Sequence, residues 1–391
     1  MLIAFVVAVV TAVQVVATMG VLGLAVLAPA ASESLDLPAT LVGLQISIIY
    51  VGAMLTSAAG GVAVRRFGPC RTSQIALGLV LAGTLLIASG RIPALLAGSV
   101  LMGLSYGLTN PAASEILLRV VPPHRRNLLF SIKQTGVPLG GVLVSLLLPA
   151  LALKFGWQAA MAVIGVAAAI LLVLLQPLRH DWDAGRSGGG RLGLAALLTG
   201  PALLWRDPFL GRFGLGCFFL GFVQLSLASL VVTLLVLEMD FGLAQAGALA
   251  AMMHVSGAIG RIGWGFLADR LRSGGQTLLV IAAVMTLGFT VLPMLDADSP
   301  RALVAGVLVV LGATAMGWNG VFLAEVARRS PPGRVGDTTG AILFAAFGGV
   351  VVGPSVIAAA VSLTGSHSQA FLICAIASAL ALVMILRSSR R

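Results

Sequence analysis

The sequence predicts an all-α membrane protein of twelve transmembrane helices, arranged as two pseudo-symmetric six-helix bundles with the N- and C-termini both cytoplasmic. Three observations carry this. The chain of 391 residues is 59% hydrophobic and only 9% charged, with a mean hydropathy of +1.07; soluble domains carry roughly a quarter of their residues as charge. Apolar runs of about 20 residues or more, long enough to cross a bilayer, recur between short charged turns. Two of those turns, about 200 residues apart, repeat one pattern: Gly61-Val-Ala-Val-Arg65-Arg66-Phe-Gly68 and Gly265-Phe-Leu-Ala-Asp269-Arg270-Leu-Arg272. A repeat at that spacing in so apolar a chain points to a two-repeat membrane protein.

Breaks at charges, prolines and glycines place helices near 3–30, 39–64, 72–90, 93–119, 128–153, 157–178, 209–237, 242–268, 276–295, 301–327, 338–363 and 367–387. The first begins at Leu2 without a basic leader and stays apolar to about Pro29, so it is expected to be a retained span. Helices two and eight end at the repeated basic turns. Helices four and ten end at Glu115-Ile-Leu-Leu-Arg119 and Glu325-Val-Ala-Arg-Arg329, followed by Pro122-Pro123 and Pro331-Pro332. Three cysteines, Cys70, Cys217 and Cys374, are far apart and are expected to be unpaired apolar fillers.

Orientation follows from the basic residues, which stay on the cytoplasmic side. With the N-terminus inside, the cytoplasmic segments hold 19 of the 24 Lys and Arg, including Arg191, Arg390 and Arg391, while the outer loops hold Arg91, Lys154 and Arg301. The outer loops also collect Glu33, Asp36, Glu238, Asp240, Asp296 and Asp298. One long connection, about Arg179 to Pro208, starts polar and flexible through Gly188-Gly-Gly190 and continues apolar from Arg191 to Trp205. Its second part is expected to lie as a helix at the inner interface. The expected organisation is therefore 1–178, a six-helix bundle; 179–208, a cytoplasmic linker; and 209–391, a second six-helix bundle.

The repeated turn and the paired Glu–Arg helix ends, with Asn110 and Asn319 one to two turns before those glutamates, resemble the major facilitator superfamily over essentially the whole chain. In that family the turn between helices two and three reads Gly-x-x-x-Asp-Arg-x-Gly. The second copy keeps the acid as Asp269; the first has Arg65 in its place. The resemblance implies alternating access by rocking of the two halves. Glu115, Glu325, Asp269, Arg65, Arg66, Arg270, Arg125 and Arg334 are then expected to be gating or structural charges whose pairs break as the halves rock.

Charges deep in the membrane are functional candidates. Arg261 lies eight residues before Asp269, about 12 Å from the helix end, and Lys133 about one and a half turns into helix five; neither has an acid three or four residues away. Such a cation suits an anionic substrate, and a guanidinium suits a carboxylate. Gly260-Arg261-Ile-Gly-Trp264-Gly265 resembles helix eight of the oxalate/formate antiporter and monocarboxylate transporter branches. There an arginine at this spacing binds the substrate carboxylate; the acid one turn earlier in monocarboxylate carriers is here Gly257. His254, seven residues before Arg261, is a candidate proton carrier. Gln134 resembles the helix-five glutamine of sugar porters. Tyr106, Asn110, Trp318 and Asn319, with Gln14, Gln45 and Gln224, are further candidates for the cavity wall.

No nucleotide-binding loop, metal cluster or nucleophile–base pair is visible, so neither ATP, a cofactor, a metal nor enzymatic catalysis is expected. The net charge of +11 is spread over turns and forms no nucleic-acid face. The expectation is a monomeric secondary carrier of a small organic anion, coupled to protons or working by exchange, in a bacterial inner membrane. A drug or other small-molecule proton antiporter would more naturally bury an acid. A transport-inactive membrane sensor would be expected to carry a sizeable soluble domain.

Overall fold

The computed structural model describes residues 2–35, 39–186, 188 and 193–389. Asp36, Arg191, Arg390 and Arg391, counted in the charge asymmetry, lie outside the described residues, as do Gly189 and Gly190 of the linker. Every regular element among the described residues is helical. In chain order these are α1 (Leu2–Val26), α2 (Ala28–Leu35), α3 (Ala39–Phe67), α4 (Pro69–Ala88), α5 (Ile92–Val120), α6 (Arg126–Gln134), α7 (Gly136–Phe155) and α8 (Trp157–Leu174). The short α9 (Arg179–Trp182), α10 (Leu194–Leu197) and α11 (Thr199–Arg206) follow. Then come α12 (Pro208–Leu237), α13 (Leu243–Arg270), α14 (Gly274–Val291), α15 (Arg301–Ala315), α16 (Asn319–Arg329), α17 (Val335–Thr364) and α18 (His367–Ser389).

Eleven spans among the described residues are long and apolar enough to cross a membrane. Helix eight of the sequence reading is α13. At 28 residues it has the length, and it interrupts its apolar run with Gln245, His254, Ser256 and Arg261.

Three expected helices are each built from two pieces. The first divides at Leu27 into α1 and α2. The fifth divides at Thr135, where Pro138 four residues after Gln134 can neither donate a backbone bond nor leave that carbonyl undisturbed. The tenth divides at Met316–Trp318, where the Gly317 N–H bonds back only three residues, to Thr314, at 3.2 Å. The linker helix is likewise two short turns. Ala196 of α10 packs on Ala59 and Val62, Gly200 of α11 lies against Ala58 and Ala341, and Trp205 stands exposed.

By their internal contacts the residues form two compact units. Unit 1 is Met1–Val121, Lys133–Leu203 and Val326–Phe344; unit 2 is Pro122–Ile132, Leu204–Glu325 and Ala345–Arg391. Each unit thus takes one short segment from the opposite end of the sequence. In unit 1, α1, α3, α4, α5, α7 and α8 pack on one another, with Leu77, Ile87, Leu148 and Ile164 fully buried. In unit 2, α12 and α14 pack on α18, and α13 on α15, around Phe213, Phe289, Phe322 and Phe371. The rings of Phe213 and Phe322 stack at 4.2 Å.

Candidate functional site

Unit 1 gathers a polar cluster in an apolar interior. Lys133, at the end of α6, is 2% exposed. Its ammonium donates to Gln14 Oε1 of α1 at 2.7 Å, to Gln134 Oε1 at 3.0 Å and to Asn110 Oδ1 of α5. An ammonium has three N–H donors, and three amide oxygens receive them here. Gln14 is itself oriented: its amide donates toward Thr18 Oγ1 at 3.4 Å, and Thr109 Oγ1 donates to its oxygen at 3.5 Å. Tyr106, one turn before Asn110, meets the Tyr50 ring edge-on at 6.2 Å between centroids. A buried cation of this kind persists only when its donors are met. These three acceptors are amide oxygens, which offer dipoles.

Unit 2 holds the second deep cation at the break between α15 and α16. Arg261 is 4% exposed, and its Nε donates to the Met316 carbonyl at 2.8 Å. That carbonyl lies in the turn where the helical ladder is interrupted, so the arginine satisfies an acceptor that the break releases. One turn on, Trp264 Nε1 donates to Ala313 O at 2.8 Å. Residues on other helices thus help to hold both deep cations: Gln14 and Asn110 for Lys133, and the Met316 carbonyl for Arg261. Gly257 is a packing residue, since a Cβ there would overlap the Met316 side chain and press on the Gly312 carbonyl; an acid has no room at this position. His254 shares the helical face of Arg261 by spacing, yet is exposed where Arg261 is buried. Asn319 donates through Nδ2 to Gln224 Oε1 at 3.3 Å. Its Oδ1, and the indole N–H of Trp318, are buried without a hydrogen-bond partner among the described residues.

The charged turns form separate arrangements. In unit 2 the Asp269 carboxylate accepts from the backbone N–H groups of Asn127 (3.1 Å) and Leu128 (2.9 Å) and from the Asn127 amide (2.8 Å). It thereby caps the N-terminus of α6, whose first N–H groups have no partner of their own. Glu325 is buried, with one oxygen close to Gly274 at the start of α14. Arg125 and Arg270 are exposed. In unit 1, Glu115 pairs with Arg119 of its own helix at 3.1 Å, and Arg66 lies over the Phe67 ring. Arg334 pairs with Asp337, three residues on, at 3.1 Å, and Arg65 pairs with the same carboxylate. A cleft of about 540 Å³ beside this pair is lined by Arg65, Glu115, Arg119, Gly185, Gly336 and Asp337.

Sequence reasoning missed two of these acids. Asp337 fell just before the expected start of helix eleven at 338; the available signal was its place 210 residues after Asn127. Asp183, in the linker, accepts from the N–H groups of Cys70 (2.8 Å) and Arg71 (3.1 Å) and so caps α4. Burial pushes its carboxyl above the usual range, against the pull of those N–H groups and of Arg179 and Arg186.

Residues 10–354 match the family model described as Major Facilitator Superfamily. The chain belongs to the Major Facilitator Superfamily. It is integral to the membrane, multi-pass, and a transporter by family rather than an enzyme. Among curated superfamily members, it is 26% identical over 318 residues to an uncharacterized MFS-type transporter of Mycobacterium tuberculosis, covering 79% of this chain and 68% of that protein. It is 28% identical over 153 residues to the hexuronate transporter of Bacillus subtilis, covering 39% of this chain and 36% of that one. Solved superfamily structures share the fold. A human organic anion transporter superposes with a TM-score of 0.79 at 18% identity over 97% of this chain and 98% of that one. A proton:xylose symporter bound to a bromodeoxyglucose superposes with a TM-score of 0.78 at 16% identity, over 98% and 95%. Members of this superfamily take small-molecule substrates within the membrane.

Proposed function

We propose that this chain is a secondary active transporter of a small organic anion bearing a carboxylate, working by alternating access with proton coupling or exchange. The observation that carries the reading is the Lys133 ammonium, buried in unit 1 and held by the amide oxygens of Gln14, Asn110 and Gln134. These amide oxygens orient the ammonium, and an incoming carboxylate can exchange for one of them and gain a charge-assisted bond. Arg261, whose Nε donates to the Met316 carbonyl, is taken by itself as a candidate carboxylate contact of unit 2. The substrates named for one relative, a hexuronate, and for one fold neighbour, organic anions, accord with an anionic cargo, as does the likeness of helix eight to the oxalate/formate and monocarboxylate branches. The arginine-rich turns support a topology with both termini in the cytoplasm, and the setting proposed is a bacterial inner membrane with a monomeric carrier.

Proteoliposome uptake of a labelled hexuronate and a labelled short monocarboxylate tests the reading. The wild type is expected to accumulate at least one of them. Lys133→Gln should lower uptake about ten- to a hundredfold, as loss of a charge-assisted hydrogen bond of about 1.5–3 kcal/mol requires. Uptake by that variant at the wild-type rate, in protein of unchanged yield, would reject the assignment.

A further inference from the structure

The apolar second part of the linker has no polar face. Gly193 to Trp205 is 13 residues without a charged side chain, and Thr199 carries its one hydroxyl. A helix lying along a membrane surface has an apolar face and a charged one turned to water. Nor can this stretch cross the membrane. At 1.5 Å per residue it rises at most about 20 Å, against a hydrocarbon core of about 30 Å. A segment so short and so apolar is buried in protein, or enters the bilayer and returns on the same side.

Its packing gives the level it reaches. Ala196 of α10 is buried against Ala59 and Val62 of α3. At Gly200 of α11 a Cβ would stand 3.0 Å from the Ala58 Cα and 3.3 Å from the Ala341 Cα, so the linker backbone rests directly on α3 and α17. Ala58 lies seven residues before Arg65, and Ala341 seven after Arg334. Each is therefore about 10 Å inside a basic turn, and basic residues mark the headgroup level. An interfacial helix sinks only its apolar face about 5–10 Å past that boundary; here the backbone itself is that deep. The chain turns at Leu198, between α10 and α11, whose carbonyl accepts from the Ala202 N–H at 2.9 Å. Charge returns at Arg206, and Asp207 then caps α12, accepting from the N–H groups of Phe209 (2.8 Å) and Leu210 (3.2 Å). Leu198 and Trp205, 66% and 93% exposed, face away from the protein.

We propose that residues 193–206 form a re-entrant strap, which dips into the near leaflet across α3 and α17, is seated by Ala196 and Gly200, and turns Leu198 and Trp205 to the lipid acyl chains. Seated there, it keeps lipid out of the contact between α3 and α17. It also shortens the tether of the two units. Upstream, Asp183 holds the linker to α4 through the N–H groups of Cys70 and Arg71, and by its contacts the chain stays with unit 1 through Leu203. A connection whose composition reads as long and flexible is thus docked on unit 1, and the last residues before α12 are left to join the units. The inference is independent of the cargo, so failure of the anion reading would leave it standing.

Nitroxide labels on single engineered cysteines read the depth of the strap in the full chain, held in lipid nanodiscs with Cys70, Cys217 and Cys374 replaced by alanine. Oxygen, which dissolves in lipid, and a water-soluble nickel chelate are the two collision partners. The labelled variants are Leu198→Cys, Trp205→Cys and, as a water-facing reference in the linker, Asp181→Cys, whose native side chain is 85% exposed. The oxygen-to-nickel collision ratio at 198 is expected to exceed that at 181 at least about tenfold, because water is excluded from the hydrocarbon. The label at 205, beside Arg206, should fall between them. Gly200→Leu puts a side chain where α3 and α17 leave no room, and should lower the ratio at 198 at least about threefold as the strap lifts. Gly200→Ala serves where leucine yields no folded protein, with a change in the same direction. A ratio at 198 no higher than at 205 would mean a helix lying flat at the surface and would overturn re-entry. A ratio at 198 within about twofold of that at 181 would place the segment in water and do the same. An unchanged ratio at 198 in the Gly200 variants would overturn the seat on α3 and α17.

Discussion

Replacing Asp269 by Asn separates the charge of a helix cap from its shape. The carboxylate uses one oxygen for the Asn127 N–H and amide and the other for the Leu128 N–H. An asparagine keeps a single acceptor, so one side of the contact is lost and an NH2 group is turned toward a donor. The hydrogen bond to a charged group is worth about 1.5–3 kcal/mol, and the favourable meeting of a negative charge with a helix N-terminus adds about 0.3–1 kcal/mol. Together these give about 2–4 kcal/mol, or about 30- to 900-fold in the opening equilibrium of the α6 terminus. Native-state hydrogen exchange of the Asn127 and Leu128 amides measures that equilibrium. Acceleration within this range is expected, with amides inside α14 unchanged. Acceleration below about threefold would refute the argument, because it would mean that solvent or a neighbouring group satisfies the α6 terminus as well as Asp269 does.

Three further outcomes follow from the same contacts. Glu238 accepts from the N–H groups of His367 and Ser368 and from the Ser366 hydroxyl. Burial alone would raise its pKa, but these bonds outweigh burial and hold it at about 2 against an ordinary 4.5. Its stabilising contribution is thus complete above about pH 4.5 and is lost as pH falls toward 2. The melting temperature of the detergent-solubilised protein should drop through that window, and Glu238→Gln should flatten the drop. Gly257→Asp, which would restore the acid of the monocarboxylate carriers, should reduce folded yield on size-exclusion chromatography, since the new Cβ overlaps Met316. Gln14→Glu places a carboxylate against Lys133 and should depress anion uptake more than Gln14→Leu does; the reverse order would argue that Lys133 acts by shape and not by charge.

The spans and the repeat were legible because composition and period carry them: about 20 apolar residues make a span wherever they lie. The breaks at Thr135 and Met316–Trp318 were not, since Pro138 and Gly317 read equally well as ordinary helix-packing residues in a membrane. Lys133 and Arg261 were legible as misplaced charges. Their partners were harder to see. Gln14 and Asn110 each stood out as a polar residue in an apolar run, yet nothing local joins positions on different helices, and the Met316 carbonyl that holds Arg261 is a backbone group with no sequence signature. Asp337 escaped because it lay just outside the expected helix, and nothing local joins it to Arg65 on a distant helix.

Laying one half over the other separates scaffold from selectivity. Gln14 receives a bond from Thr109, and Gln224 one from Asn319; both members of the second pair lie 210 residues after those of the first. The same two helices are therefore tied at the same two positions in each copy, as a duplicated structural contact would be. The deep cations do not follow this rule. The position answering Lys133 is Leu343, the one answering Gln134 is Phe344, and Arg261 answers to Ser57, whose hydroxyl merely bonds back to Met54. A tie that both copies keep does not account for a buried charge that only one copy carries. An ammonium or guanidinium loses its hydration on burial and stabilises the fold weakly at best. Its presence in a single copy fits the anionic cargo proposed above, which need not meet the two halves alike.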